Sequence, residues 1–336
     1  MNKAYPNPKR LPFTRSVKGK RGVNLPPWKG GIEGGRGPVP GAPGTTRSDW
    51  TIVRLTRYGR LLYMNVKQAQ IGSIRIGAGA PLALIAGPCV IESREHTLRM
   101  AEAIKGVCEA LRIPFIFKAS FDKANRSSIH SFRGPGLDEG LRILGEDRKR
   151  VGVPVLSDIH EPAQAKPAGE VLDCVQIPAF LCRQTDLLAA AAATGRCVNV
   201  KKGQFLSPEE MSNVAAKLTE SGCDNFLFTE RGTFFGYNRL VNDMTAIPRM
   251  QAFAPAVFDA THSCQQPGGA GTLSGGQRQY VGTLAAAAVA VGADAIFMEV
   301  HDDPDHAKSD PATVFPLDQL RSLLERLTRI AALSRV

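Results

Sequence analysis

The chain has 336 residues, 43% of them hydrophobic, enough for a large buried core, and a formal net charge of +11. Spread over a folded surface, that charge would suit nucleic acid or an anionic membrane. It is not spread: residues 1–63 hold 13 Lys and Arg against Glu33 and Asp49, and the rest of the chain holds 29 basic and 29 acidic residues. No nucleic-acid partner is therefore expected for the globular part. No apolar run reaches the roughly 18 residues of a membrane span, and the N-terminus has no compact apolar segment of the signal-peptide kind. The seven Cys are odd in number and form no C-x-x-C pair, which points to free thiols in a reducing, cytoplasmic compartment.

Residues 1–63 are rich in Pro, Gly and basic side chains, as in Gly30-Gly31-Ile32-Glu33-Gly34-Gly35. Such a segment buries too little apolar surface to offset its ordering entropy, so a disordered extension is expected. Met64 opens the ordered-looking region and is itself a candidate start, so the domain boundary falls between 1–63 and 64–336. Val66–Ile76 alternates loosely and predicts a short hairpin.

A β-then-α rhythm follows. Apolar runs suited to buried parallel strands lie at Leu82–Ala86, Phe115–Ala119, Val153–Asp158, Cys174–Ile177, Cys197–Val200, Phe226–Thr229, Ala256–Ala260 and Ala295–Glu299. Helical periodicity covers Glu95–Leu111, Leu137–Lys149, Pro208–Ser221, Gly276–Val291 and Pro316–Ala332, with a weaker stretch at Leu240–Ala252. Eight such units predict an α/β fold, a closed (β/α)8 TIM barrel, whose chemistry sits at the C-terminal ends of the strands.

Polar residues cluster at those ends. They are Cys89, Lys118 with Lys123, Asp158 with His160, Gln176, Lys201 with Lys202, Arg231, His262, and Glu299 with His301. Lys118, Lys123, Lys201 and Arg231, with Arg126 and Arg133 nearby, would repel one another at one mouth unless a dense anion such as a phosphate ester lay between them. The bland alternative is ion pairing with Asp158, Glu230 and Asp243. Cys89, His262, Glu299 and Asp310 come from the first, seventh and eighth strands and the loop after the eighth. One thiolate, one imidazole and two carboxylates suit a borderline divalent ion. A lone Cys after Gly-Pro is ordinarily an inert buried thiol, so the companions carry this reading. Leu273-Ser274-Gly275-Gly276-Gln277 spells the signature loop of ABC-type ATPases, but no G-x-x-x-x-G-K-[ST] segment accompanies it. It is read instead as the start of a helix with its amides near an anion.

Over residues 64–333 the chain resembles the 3-deoxy-octulosonate 8-phosphate synthases. The motifs are AGPCVIES (86–93), FKASFDKANRSSIHSFRGPGL (117–137), SDIHEP (157–162), QIPAFLCRQTDLL (176–188), NVKKGQF (199–205), TERGTFFGYNRLVNDM (229–244), FDATHSCQQPGG (258–269) and MEVHDDPDHAKSD (298–310). The resemblance implies condensation of phosphoenolpyruvate with arabinose 5-phosphate, a homo-oligomer, expected to be a tetramer, and no membrane partner. It places Lys118, Lys123, Gln176, Lys201 and Arg231 on phosphoenolpyruvate, and Asn125, Arg126 and Ser127 on the sugar phosphate, with the Arg lent by a neighbouring subunit. Asp158 falls near the sugar hydroxyls. Cys89, His262, Glu299 and Asp310 match the ligands of a divalent metal, because Cys89 stands where metal-independent members carry Asn. His262, Lys123 and Asp310 are the catalytic candidates. Lys201 is chosen over Lys202 by register alone. The rival is a 3-deoxy-arabino-heptulosonate 7-phosphate synthase using erythrose 4-phosphate. That family reads K-P-R-T-S-P after the second strand, where this chain has Lys123-Ala124-Asn125-Arg126-Ser127-Ser128.

Overall fold

The computed structural model describes residues 67–334, apart from Ser127, Gly271 and Thr272. The expected extension over 1–63 therefore lies outside the described residues, as does Ser127.

The description begins with a hairpin, β1 (Gln68–Ile71) and β2 (Ile74–Gly77), as the alternation over 66–76 predicts. The chain then runs β3 (Ala83–Gly87), α1 (Arg94–Ala110), β4 (Phe115–Lys118), α2 (Leu137–Val151), β5 (Val155–Asp158), α3 (Ala165–Val171), β6 (Cys174–Ile177), α4 (Thr185–Ala192), β7 (Cys197–Lys201), α5 (Met211–Glu220) and β8 (Phe226–Glu230). A second hairpin, β9 (Thr233–Gly236) and β10 (Arg239–Val241), precedes α6 (Ala246–Met250) and β11 (Ala256–Asp259). A third, β12 (Gln265–Ala270) and β13 (Leu273–Gly276), precedes α7 (Val281–Ala290) and β14 (Ala295–His301). The two-residue strand β15 (Phe315–Pro316) and α8 (Leu317–Ser334) follow.

Strands β3, β4, β5, β6, β7, β8, β11 and β14 pair in parallel in that order, and β14 pairs back with β3. This is the predicted closed (β/α)8 barrel. Closure requires tight approach between β3 and β4. A Cβ on Gly87 would lie 2.1 Å from the carbonyl oxygen of Lys118, so only glycine fits there.

The strand period of two sorts the side chains. Ile85, Ile116, Leu156, Cys174, Cys197, Leu227, Val257 and Phe297 form one apolar cluster inside the barrel. Leu84, Ala86, Phe117, Val155, Val175, Val198, Phe228 and Phe258 belong to the larger cluster shared with the helices. Ala69, Ile71 and Ile76 of the first hairpin join the inner cluster, and the Asn225 side chain bonds the Gln70 backbone at both N–H and carbonyl, so the hairpin plugs the N-terminal end of the barrel.

Two predicted helices need correction. Leu273–Gly276 is not the start of a helix but a strand paired with β12, and α7 begins only at Val281. The stretch 240–252 shrinks to α6: Leu240 and Val241 are taken by β10, and Pro248 offers no N–H to a longer helix. All seven cysteines are free and buried, and no helix among the described residues is long and apolar enough to cross a membrane.

Candidate active site

The alternation that buries the lower barrel also builds the site. Two residues beyond Ile116, Leu156, Cys174, Val257 and Phe297 stand Lys118, Asp158, Gln176, Asp259 and Glu299, one strand period further up the same face. All but the wholly buried Asp259 open into a cavity of about 320 Å³ at the C-terminal ends of the strands. Its lining includes Lys118, Lys123, Asn125, Arg126, Asp158, Gln176, Lys201, Arg231, His262, Glu299 and Asp310. Sequence-predicted residues from eight separate segments thus meet in one place.

Beneath the cavity a polar layer ties three strands. Asn199 donates to Gln176 Oε1 at 2.9 Å and accepts from Thr229 at 2.7 Å. Gln176 thereby spends its oxygen below. Lys201 and Lys202 separate by the same parity. Lys201 continues the inward face of Cys197 and Asn199 and lines the cavity, whereas Lys202 is fully buried and bonds the carbonyls of Gly203 and Leu206.

The cations are paired, but not as the bland alternative expects. Lys118 Nζ lies 2.8 Å from Glu299 Oε1 and 2.9 Å from the Cys89 carbonyl. Lys123 reaches the same Glu299 oxygen at 3.5 Å, and Arg126 Nη1 lies 3.5 Å from Asp310 Oδ1. Glu230 is instead 3.6 Å from Lys202, which is not one of those cations, while Asp243 engages Arg249 outside the cavity. Among the described residues the Arg231 guanidinium bonds neutral groups, Gln265 Oε1 at 2.6 Å and the His262 carbonyl at 3.5 Å. Among the described residues the buried Arg126 Nη2 has no hydrogen-bond partner, so the guanidinium has a donor to spare. Arg126 reaches the cavity of its own chain.

The four metal-ligand candidates converge. Ligand atoms of Cys89, Glu299 and Asp310 lie within 4.8 Å of one another, and His262 Nε2 is 3.5 Å from Glu299 Oε2 and 3.9 Å from Asp310 Oδ2. Among the described residues the buried Glu299 Oε2 has no hydrogen-bond partner, although Lys118 holds the other oxygen. Such an orphaned carboxylate oxygen, with an imidazole, a second carboxylate and a sulfur around it, fits a divalent cation. Burial alone would raise the Glu299 carboxyl, but His262, Lys118 and Lys123 hold it well below the usual range, so it is ionised at neutral pH. Cys89 behaves oppositely. Burial first, then the charge of Glu299, pushes its thiol far up, and its Sγ donates to Asp310 Oδ2 at 3.4 Å. A cation beside it would reverse that balance and release the proton.

Asp259 and Ser309 escaped the sequence reading, whereas His160 and His301 were among its strand-end residues. Asp259 is wholly buried, with Oδ2 2.7 Å from His262 Nδ1 and 2.6 Å from Lys201 Nζ, and it is the group that orients His262. Ser309 Oγ lies 2.6 Å from Cys89 Sγ. His160 lines the cavity with Nε2 3.1 Å from Asp158 Oδ2, and this bond, with the charges of His160 and Lys123, overcomes burial to keep Asp158 ionised. His301 points elsewhere, toward Glu92 and His96.

A family model described as the DAHP synthetase I family matches residues 62–333. The 2-dehydro-3-deoxyphosphooctonate aldolase of Trichlorobacter lovleyi is 58% identical over 270 residues, covering 80% of this chain and 99% of that protein. Its namesakes from Geotalea uraniireducens and Koribacter versatilis are 56% and 57% identical over 269 and 268 residues, covering 80% and 79% of this chain and 99% and 96% of their own lengths. With a family model matching residues 62–333 and this identity along nearly the whole of each relative, the chain belongs to the DAHP synthetase I family, alongside its 2-dehydro-3-deoxyphosphooctonate aldolases.

Proposed function

We propose that the chain condenses phosphoenolpyruvate with D-arabinose 5-phosphate and water, giving 3-deoxy-D-manno-octulosonate 8-phosphate and inorganic phosphate, with a divalent metal at Cys89, His262, Glu299 and Asp310. The observation that carries this reading is one cavity where Lys118, Lys123, Lys201 and Arg231 face the orphaned oxygen of Glu299 and its potential co-ligands. The relatives' name supports the sugar: an eight-carbon acid is a three-carbon enol phosphate joined to a pentose, whereas the heptulosonate rival needs a four-carbon sugar.

In this reading the cationic side chains neutralise the enol phosphate and hold its carbon-3 against the aldehyde, a positioning effect. Arg126, with its unspent Nη2, and Asn125 take the sugar phosphate, and Asp158 the sugar hydroxyls. When bound, the metal supplies Lewis-acid polarisation of the aldehyde or an activated water. Asp259 keeps the proton of His262 on Nδ1, leaving the Nε2 lone pair for the site, where it also suits a proton relay. Lys123 is the donor to oxygen that gains charge, and Asp310 the acceptor for a proton from the attacking water.

The test is phosphate release from phosphoenolpyruvate with each sugar phosphate, before and after chelation. Turnover with arabinose 5-phosphate, loss on chelation and recovery with Mn²⁺ or Zn²⁺ are expected. Full activity in metal-stripped protein would overturn the metal, and preference for erythrose 4-phosphate the substrate. Arg126→Ala should raise the KM for arabinose 5-phosphate about tenfold to 150-fold, since losing a charged hydrogen bond costs about 1.5–3 kcal/mol. The KM for phosphoenolpyruvate should hardly move. Equal loss for both would place Arg126 in the other half of the site.

A homo-oligomer, proposed as a tetramer, accords with the exposed aromatic side chains of Phe180, Phe205, Phe235 and Tyr237, and light scattering reads the mass directly. Buried, unpaired cysteines suit a reducing, cytoplasmic setting. Residues 1–63 are proposed to be dispensable. A chain starting at Met64 should match the full chain in melting temperature and turnover, and loss of either would assign the segment a structural role.

A further inference from the structure

Next to the ligand set, outside the cavity lining, Glu92, His96 and His301 form a chain of polar side chains with no part in the proposed reaction. Glu92 follows Cys89 by three residues, His301 follows Glu299 by two, and Lys308 precedes Asp310 by two. Glu92 Oε1 accepts a hydrogen bond from the Lys308 backbone N–H at 2.8 Å. The same carboxylate oxygen is 3.3 Å from His301 Nε2, close enough for attraction but out of hydrogen-bond alignment. His301 Nδ1 accepts from the Asp303 N–H at 2.9 Å. On α1, His96 Nε2 lies 3.0 Å from Asp302 Oδ1, and Arg99 donates to Asp302 Oδ2 at 2.7 Å. The rings of His96 and His301 are 4.6 Å apart between centroids.

Glu92, His96 and His301 have the residue types and spacing of a cation site in their own right. The hydrogen bonding speaks against it. His301 Nδ1 accepts a backbone proton, so the neutral ring carries its own proton on Nε2, the atom that faces Glu92. A protonated nitrogen has no lone pair for a metal. The cluster is better understood as a bracket joining the segment after β3, the end of β14 and the loop 302–310.

That loop needs holding. Asp310 has φ +50, in the left-handed region that a non-glycine residue adopts at a cost. The N–H groups of Thr313 and Val314 secure its carbonyl from one side, and Glu92 secures Lys308 from the other.

We infer that Glu92 is a positioning residue for the metal ligands: by accepting the Lys308 N–H, its side chain fixes the separation between the segment carrying Cys89 and the one carrying Ser309 and Asp310. The inference rests on the proposed ligand role of Cys89, Glu299 and Asp310. Groups that orient metal ligands typically matter by about 10- to 100-fold in metal affinity.

Titration of metal-free, full-length protein with Co²⁺ tests it, because the thiolate-to-cobalt absorption band reports the Cys89 bond independently of turnover. Glu92→Ala should weaken Co²⁺ binding about 10- to 100-fold and diminish the band. Glu92→Gln keeps an oxygen for the Lys308 N–H and should stay within a few-fold of wild type. Melting curves separate these effects from unfolding. Should Glu92→Ala not fold, Glu92→Asp, one methylene short of Lys308, should show the same weakening. Unchanged binding in Glu92→Ala, or equal loss in Glu92→Gln and Glu92→Ala, overturns the positioning role alone. A wild type without the thiolate band overturns the ligand role of Cys89 and the inference with it.

Discussion

Asp259→Asn is expected to lower turnover by about 100-fold or more while leaving a foldable barrel of reduced stability. Asp259 is wholly buried and accepts from four donors: Lys201 Nζ at 2.6 Å, His262 Nδ1 at 2.7 Å, the His262 N–H at 2.9 Å and Thr261 Oγ1 at 3.1 Å. An amide presents its N–H groups either toward Lys201 and Nδ1, which share Oδ2, or toward Thr261 and the His262 N–H, which share Oδ1. In the first case the His262 proton moves to Nε2, and the lone pair the site needs is lost. Breaking one partner of a buried charge pair costs about 3–5 kcal/mol, because the other is left uncompensated. Burial would raise the Asp259 carboxyl, but His262 and Lys201 hold it far below its ordinary value. Its stabilising contribution is therefore full at neutral pH and is lost as pH falls below the usual carboxylate range. Melting temperatures of variant and wild type should differ most near neutrality and converge in acid. A variant with wild-type turnover would remove Asp259 from the machinery.

The second large effect is on metal requirement. Cys89→Asn should keep part of the activity and lose most of its dependence on added metal. A thiolate binds a borderline ion strongly, and a neutral amide does not. The site can receive an amide: its N–H can donate to Asp310, as the thiol does at 3.4 Å, and its oxygen can accept from Ser309, now 2.6 Å from the sulfur. Catalysis would then rest on the cationic side chains and on preorganised dipoles. Assays with chelator and with added metal decide the matter. A protein dead in both conditions would show that the single exchange cannot convert the site. Undiminished metal dependence would show that Cys89 is not an essential ligand.

What could be read from the sequence was whatever obeys a short period. Ile116 before Lys118, Leu156 before Asp158 and Phe297 before Glu299 repeat an apolar-then-polar step of two residues, and that step places the strand ends. The same parity would have chosen Lys201 over Lys202 from Cys197 and Asn199 without any resemblance, and would have found Asp259 from Val257. The hairpins were harder. β12 and β13 pair with little apolar alternation in either strand, so LSGG looked like a helix entrance. In β9–β10 the Tyr237-Asn238 step was a usable signal, since Asn238 takes φ +54 as a tight turn requires. Ser309 and Glu92 act only through long-range contacts, and no local pattern announces them.

The first hairpin has a meaning for how the protein fails. Ala69, Ile71 and Ile76 share their packing with Ile85, Ile116 and Leu156 at the end of the barrel opposite the chemistry. A chain cut after Gly77 would keep every residue of the cavity and still uncork a ring of aliphatic side chains to water. Its expected fate is precipitation rather than simple inactivity, because an open greasy ring on one molecule is a ready seat for the same ring on another. The lower rim thus guards solubility, and the upper rim does the chemistry.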